Sequence, residues 1–86
     1  MSNKYIVYGR VQGVGFRYFV YELATRLKFN GSVKNLPDGS VEIVIDSNKQ
    51  EEILKVIKKG NFFSHVEKII KIEILECSYD DFKILY

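Results

Sequence analysis

A change in hydrophobic period near residue 15 limits the folds that are open to this chain. Before it, Tyr5–Tyr8 is a short run of β-prone residues that ends at Gly9. The next segment, Val11–Gly15, carries two glycines and no helical pattern, so it predicts a loop. Apolar residues then recur at helical spacing: Phe16, Phe19, Val20, Leu23, Ala24 and Leu27. The pattern therefore predicts a strand, a tight loop and an amphipathic helix in succession.

Turn-forming residues bound the elements that follow. Asn30–Gly31 is predicted to end the first helix, because both residue types tolerate positive φ. Ser32–Leu36 and Ser40–Asp46 have the β-prone composition of strands. Between them, Pro37-Asp38-Gly39 combines a preset φ, a side chain that bonds its own backbone and a glycine, so it predicts a turn.

A second helix and two more strands complete the pattern. Ser47 is a candidate N-cap for a helix through Lys59, which Gly60 is expected to end. Val66–Glu76 and Phe82–Tyr86 are predicted strands. In the longer of these two strands, the residues expected to face the core are Ile70, Ile72 and Ile74.

The order of these elements predicts an α+β fold. It is β-α-β-β-α-β followed by a short C-terminal strand, which right-handed crossovers turn into a ferredoxin-like two-layer sandwich. The sheet is expected to be antiparallel, with two helices on one of its faces. A length of 86 residues suits a single domain, residues 1–86. Because this arrangement hosts many functions, it does not identify one.

Composition excludes several classes of protein. Hydrophobic residues make up 47% of the chain, which favours a packed core over disorder. The formal net charge of +2 is too small to indicate a nucleic-acid or membrane partner. Cys77 is the only cysteine, so neither an internal disulfide nor a cysteine zinc cluster can form. No stretch approaches the ~18 apolar residues of a membrane span. We therefore expect a soluble, cytoplasmic monomer.

The segment Gly13-Val14-Gly15-Phe16-Arg17 has the composition of an anion-binding loop. Two glycines let successive backbone N–H groups converge at the start of a helix, where the helix dipole adds partial positive charge. Arg17 in the first helical turn is unfavourable by about 0.3–1 kcal/mol unless an anion lies beside it, and its guanidinium could fork onto two phosphate oxygens. The alternative is a tight turn with an exposed arginine, and spacing alone does not separate the two.

Three other motifs fit this segment less well. Tyr18 occupies the third glycine position of the dinucleotide-binding pattern G-x-G-x-x-G. No Gly-Lys-Ser/Thr follows the glycines, which excludes the P-loop pattern. Gly15–Val20 combines a glycine with aromatic residues as in an RNA-binding signature, but that signature requires a central strand. The helical spacing of this segment argues against it.

Asn35, near the end of a predicted strand, is the second candidate for chemistry. A primary amide can accept a hydrogen bond from water and donate one to a phosphate oxygen, so it can place a neutral nucleophile without taking its proton. The alternative is an asparagine that only shapes the following turn. His65 is a rival general base, but it stands alone before the last long strand, far in sequence from both motifs.

Two segments of this chain closely resemble the signatures of the acylphosphatase family. They are Tyr8-Gly9-Arg10-Val11-Gln12-Gly13-Val14-Gly15-Phe16-Arg17 and Gly31-Ser32-Val33-Lys34-Asn35-Leu36-Pro37-Asp38-Gly39-Ser40-Val41-Glu42. The likeness continues to the closing Phe82-x-Ile84-x-Tyr86. The family pattern often has an aromatic residue, an arginine and a proline where this chain has Ser32, Lys34 and Asn61. None of these departures touches Arg17 or Asn35.

The resemblance implies an activity and the residues that carry it. The activity is hydrolysis of the carboxyl–phosphate anhydride of acyl phosphates by direct in-line attack of water, with inorganic phosphate as product and no metal or other cofactor. The family's phosphate-binding arginine falls on Arg17 and its water-orienting asparagine on Asn35. The phosphate is then expected to rest on the backbone amides of Gln12, Gly13, Val14, Gly15, Phe16 and Arg17.

Two alternatives to the enzyme stay open. One is a non-catalytic module that uses the same loop to bind phosphate or a carbamoyl-phosphate-like ligand. The other, less well supported by the helical spacing after Gly15, is a ferredoxin-like RNA-binding domain.

Overall fold

The computed structural model describes residues 2–86 and consists of a sheet and two helices. In chain order, the elements are β1 (Ser2–Arg10), α1 (Phe16–Leu27), β2 (Asn30–Asn35), β3 (Val41–Asp46), α2 (Gln50–Lys59), β4 (His65–Leu75) and β5 (Phe82–Leu85). This is the predicted order, and the ferredoxin-like α+β class is confirmed. Within residues 2–86, neither helix is long and apolar enough to cross a membrane.

The five strands lie in the order β4-β1-β3-β2-β5. Three of the four pairs are antiparallel, but β5 runs parallel to β2, so the expectation of a wholly antiparallel sheet is wrong. The reason is the short connection formed by residues 76–81. It crosses one end of the sheet, from Leu75 beside Ser2 to Phe82 beside Gly31. β5 therefore starts at the end of the sheet where β4 stops, and takes the direction of β2.

Both helices cover the same face of the sheet, as predicted. Strand side chains alternate between the two faces, and Tyr5 and Val7 of β1 lie opposite Ile43 and Val41 of β3 on the helix side. All four side chains are buried. The helices add Phe16, Val20, Leu23, Ala24, Ile53 and Ile57 to the same core.

The helix boundaries differ from the prediction at two ends. Lys28, in the left-handed conformation with φ 59°, caps the C-terminus of α1, whereas Asn30–Gly31 already belongs to β2. Lysine is uncommon at positive φ, so the sequence carries no signal for this stop. At α2 the N-cap residue is Lys49 and not Ser47. Ser47 instead accepts a hydrogen bond at its Oγ from the Lys49 backbone N–H, at 3.0 Å.

The three isoleucines of β4 that were predicted to face the core are exposed, whereas Ile69 of the same strand packs against the core. Their exposed fractions are 40%, 51% and 53% for Ile70, Ile72 and Ile74. Ile70 lies opposite Ile6, which alternates with the core residues Tyr5 and Val7, so Ile70 faces away from the helices. The pairing of β4 with β1 also shifts register twice, next to Tyr5 and next to Gly9, and each shift breaks the alternation of faces. Such bulges are frequent in edge strands, which β4 is. The buried residue of this strand is Val66.

Candidate active site

The loop between β1 and α1 is fixed at both ends by buried side chains. Val11 and Phe16 are each 1% exposed and belong to the core. The chain must therefore reverse its direction within residues 12–15. It does so through Gly13 and Gly15, whose φ angles of 72° and 75° lie in the left-handed region that side chains disfavour. The glycine loop thus lies where the sequence predicted it.

Backbone N–H groups at this loop are free to bind a ligand. In the described part of the chain, none of the N–H groups of residues 12–17 donates a hydrogen bond to a protein acceptor. The first bond of α1 runs from the Phe19 N–H to the Gly15 carbonyl, at 3.0 Å. Helix α1 has no side-chain cap and no acidic residue in its first turn. Unused N–H groups at a helix start attract anions, because the helix dipole is positive there.

Asn35 is the last residue of β2 and lies on the helix side of the sheet. Val33, two residues earlier, is fully buried in the core, and strand alternation places Asn35 on the same face. The Oδ1 atom of Asn35 is buried and accepts no hydrogen bond from any group within residues 2–86. Buried acceptors without a partner are rare in folded proteins, so the protein chain leaves the acceptor capacity of Asn35 unused.

Arg17 lies in the first turn of α1 and is half-buried. Its Nη1 donates to the Leu85 carbonyl at 3.3 Å, and its guanidinium carbon lies 4.9 Å from the centre of the Tyr86 ring. No Asp or Glu within residues 2–86 forms an ion pair with it. The positive charge of Arg17 therefore lies beside the loop and is not neutralised by a carboxylate. It is available to an anion.

The two predicted catalytic side chains and the glycine loop line one cleft of about 220 Å³. This is smaller than the roughly 300–1,000 Å³ of sites for drug-sized ligands, and suits a phosphoryl group with a modest substituent. The other residues that line the cleft are Val11, Phe16, Tyr18, Ile84 and Tyr86. The structure therefore brings Arg17, Asn35 and the loop together, as the sequence predicted.

The side chain of Gln12 joins the loop to the turn between β2 and β3. Its Nε2 donates to the carbonyls of Leu36 and Ser40, at 2.7 and 2.8 Å. Ser40 in turn donates its hydroxyl and its backbone N–H to Asp38, and these two bonds lower the pKa of the Asp38 carboxyl. The bridge sets the position of the turn, and so of Asn35, relative to the loop. The sequence predicted only a backbone role for Gln12.

A second side-chain hydrogen bond joins the loop to the segment after α2. Asn61, which follows α2, donates from Nδ2 to the Val14 carbonyl at 2.8 Å. In the sequence, Asn61 is distinguished only as a departure from the family pattern. The sequence could not predict this hydrogen bond or those of Gln12, because their acceptors are backbone carbonyls, which any residue type provides.

The other candidate residues and motifs from the sequence do not contribute to this cleft. His65 is exposed at the start of the edge strand β4, opposite Arg10, and does not line the cleft. Residues 2–86 contain no group of three or more His, Cys, Asp or Glu side chains that could hold a metal ion. The RNA-binding signature is not formed by Gly15–Val20, because these residues enter α1 and Phe16 is buried.

Fold, loop and cleft together define a ferredoxin-like protein with a glycine loop between its first strand and first helix. A family model described as Acylphosphatase matches residues 3–84. An acylphosphatase from Borrelia garinii is 43% identical over 91 aligned residues, which cover 99% of this chain and 98% of the relative. The chain therefore belongs to the acylphosphatase family. The family that the two sequence signatures predicted is therefore confirmed. The class of enzyme that they predicted is confirmed with it, as the class to which this family belongs.

Solved structures give the same result. The crystal structure of acylphosphatase from Bacillus subtilis matches with a TM-score of 0.85 and 40% identity, over 99% of this chain and 98% of that one. HypF from T. kodakarensis matches with a TM-score of 0.84 and 34% identity, over 99% of this chain but only 12% of HypF. The fold therefore occurs both as a chain of this size and within a much longer protein.

We expect Gln12→Met to lower the free energy of unfolding by about 1–3 kcal/mol, because it removes two hydrogen bonds worth about 0.5–1.5 kcal/mol each while keeping the side-chain length. Urea unfolding measures this change. Glu22→Met, at an exposed position of α1, is the matched control and should change the stability by less than about 0.5 kcal/mol. Equal stability of Gln12→Met and the parent protein would show that the bridge is not a structural tie.

Proposed function

We propose that this chain hydrolyses acyl phosphates to a carboxylate and inorganic phosphate, by in-line attack of a water molecule that Asn35 positions. The observation that carries the proposal is the shared cleft of Arg17, Asn35 and the glycine loop. One strand end and one helix start, from separate parts of the chain, supply complementary groups for a single phosphoryl group. The family membership of the chain supports the same activity.

The loop and Arg17 hold the phosphoryl group. The unused N–H groups of residues 12–17 supply neutral donors, and the guanidinium of Arg17 supplies positive charge and two parallel donors. Both kinds of group are fixed before substrate arrives, because the loop ends are buried and Arg17 is held by the Leu85 carbonyl. Donors that are already oriented stabilise the charge of the transition state without reorganisation.

Asn35 positions the water molecule that acts as the nucleophile. Its unpaired Oδ1 accepts a hydrogen bond from the attacking water, which leaves an oxygen lone pair aimed at phosphorus. As the P–O bond to the carboxylate breaks, the new O–P bond forms and the proton of the water passes to a phosphate oxygen. No general acid is needed, since carboxylic acids titrate near pH ~4 and the carboxylate leaves unprotonated. A loose transition state also demands little of the nucleophile.

The acyl group of the substrate lies on the exposed side of the cleft. Tyr18, Ile84 and Tyr86 line it, so the part of the substrate beyond the phosphoryl group meets aromatic and aliphatic surface. Tyr18 and Tyr86 are 59% and 94% exposed, which leaves the acyl side open to solvent. The site is therefore selective for the phosphoryl group of the substrate and tolerant of different acyl groups.

Substitution should separate the roles of Arg17 and Asn35. Arg17→Ala is expected to weaken phosphate binding, because the guanidinium holds the phosphoryl oxygens in the ground state. It should also lower kcat by about 10²–10³-fold, because the guanidinium stabilises the charge on these oxygens more strongly in the transition state. Arg17→Lys should restore little, since an ammonium lacks the two-pronged geometry. Asn35→Ala should lose turnover yet bind phosphate almost as the parent protein does. Calorimetry with inorganic phosphate and turnover of benzoyl phosphate measure the two effects.

Two controls match these substitutions. Arg26→Ala removes the same charge from the far end of α1, and Asn48→Ala removes an exposed carboxamide, so both should keep parental turnover. Asn35→Asp keeps the shape but sets a carboxylate beside a dianion, so both its turnover and its phosphate affinity should fall. Normal turnover by Asn35→Ala would contradict the role of Asn35. Phosphate binding without turnover in the parent protein would favour the non-catalytic binding module.

Turnover of benzoyl phosphate should be unchanged by EDTA. The reason is that the positive charge at the phosphoryl group comes from Arg17 and the backbone N–H groups, and that residues 2–86 offer no cluster of metal-ligating side chains. The measurement is the rate of purified protein before and after dialysis against chelator. A loss of rate that added Mg²⁺ or Zn²⁺ restores would show that the reaction needs a metal.

A further inference from the structure

Asn61 is a polar side chain that the proposed mechanism leaves without a role. It comes directly after α2 and Gly60, and its Nδ2 lies 2.8 Å from the carbonyl oxygen of Val14, far away in sequence. Val14 and Gly15 form the centre of the glycine loop. The contact therefore joins the turn after α2 to the segment that is proposed to hold the phosphoryl group.

Peptide geometry connects this hydrogen bond to the direction of the Gly15 N–H. A trans peptide unit is planar, so its carbonyl and its N–H point to opposite sides. No peptide bond within residues 2–86 is cis. Because Asn61 holds the Val14 carbonyl on its own side of the loop, the Gly15 N–H points to the other side. That N–H is among the donors that no protein acceptor uses.

Gly15 does not set this orientation by itself. Glycine adopts positive and negative φ about equally well, so residue 15 itself adds no Cβ penalty to rotation of the Val14–Gly15 peptide plane. A Cβ at this position would have the Asn61 Nδ2 as its nearest contact, at 3.7 Å. The Asn61 carboxamide is thus the group that packs against the loop at this point and selects one orientation of the peptide.

Asn61 is itself held in place. Its backbone N–H donates to Ser64 Oγ at 2.8 Å, and the Ser64 N–H donates back to the Asn61 carbonyl at 3.3 Å. Its Oδ1 is buried and has no partner within residues 2–86. If the carboxamide turned over, Oδ1 would face the Val14 carbonyl and two acceptors would repel each other. The donor of Asn61 is therefore committed to Val14.

We propose that Asn61 is a positioning residue for phosphoryl binding, which orients the Val14–Gly15 peptide so that the Gly15 N–H donates to a phosphoryl oxygen. This inference rests on the proposed function. A phosphoryl oxygen is bound in the ground state and in the transition state alike, so loss of Asn61 should raise KM and leave kcat nearly unchanged. The effect is thus the opposite of that expected for Asn35.

Asn61→Ala tests the inference through binding as well as rate. We expect inorganic phosphate to bind about threefold to tenfold more weakly, the loss that accompanies one neutral hydrogen bond. KM for benzoyl phosphate should rise by a similar factor, with kcat within about twofold of the parent value. In the parent protein, phosphate should shift the amide resonance of Gly15 in an NMR titration, and in Asn61→Ala this shift should shrink. Asn48→Ala is the control and should match the parent protein.

Asn61→Asp adds a readout that a purely structural role would not move. At neutral pH the carboxylate cannot donate and repels both the Val14 carbonyl and phosphate, so binding should weaken further than in Asn61→Ala. At lower pH the protonated carboxyl regains a donor. The ratio of the variant's phosphate Kd to that of the parent protein should therefore fall toward one as the pH is lowered. For the exposed control Asn48→Asp, this ratio should be close to one throughout.

The outcomes distinguish this inference from the proposed function. Weaker phosphate binding by both Asn61 variants, with the acid recovery of Asn61→Asp, supports the positioning role. If both variants bind phosphate as the parent protein does, while Arg17→Ala does not, the positioning role is wrong and the proposed function stands. If Arg17→Ala binds phosphate as well as the parent protein does, the proposed function fails and the positioning role fails with it.

Discussion

Burial of Val11 and Phe16 at the two ends of one short loop is the constraint on which the site depends. Both side chains are in the core, so the backbone between them has to reverse within residues 12–15. Left-handed glycines make this reversal possible. The reversal leaves a row of N–H groups without protein acceptors at the positive end of α1, and the same turn brings Arg17 to the edge of the cleft.

The sheet supplies the other half of the site. Alternation along β2 buries Val33 and places Asn35 on the same face, at the strand end next to the start of α1. Hydrogen bonds of Gln12 and Asn61 then hold the loop to two other segments, the turn between β2 and β3 and the turn after α2. The proposed chemistry uses rigid backbone, one guanidinium and one carboxamide, because the leaving carboxylate needs neither an acid nor a metal to depart.

Local patterns predicted the parts of this structure that local physics determines. The change of period at Phe16, the glycine loop and the turn at Pro37-Asp38-Gly39 lie where the sequence placed them, and Arg17 and Asn35 meet in one cleft. The direction of β5 and the two register shifts of β4 could not be predicted from the sequence, because they depend on pairing between strands that are far apart in the chain. The hydrogen bonds made by Gln12 and Asn61 also join distant segments. The sequence did not predict them, because their acceptors are backbone carbonyls, which every residue type has.

The measurement that tests the account most directly is the fate of solvent oxygen. Benzoyl phosphate should be hydrolysed by the purified protein in water enriched in ¹⁸O, and both products analysed by mass spectrometry. If the loop and Arg17 hold the phosphoryl group while a water beside Asn35 attacks phosphorus, a single labelled oxygen appears in phosphate and none in benzoate. Label in benzoate would mean attack at the carbonyl carbon, and would contradict the assignment of the cleft as a phosphoryl-transfer site.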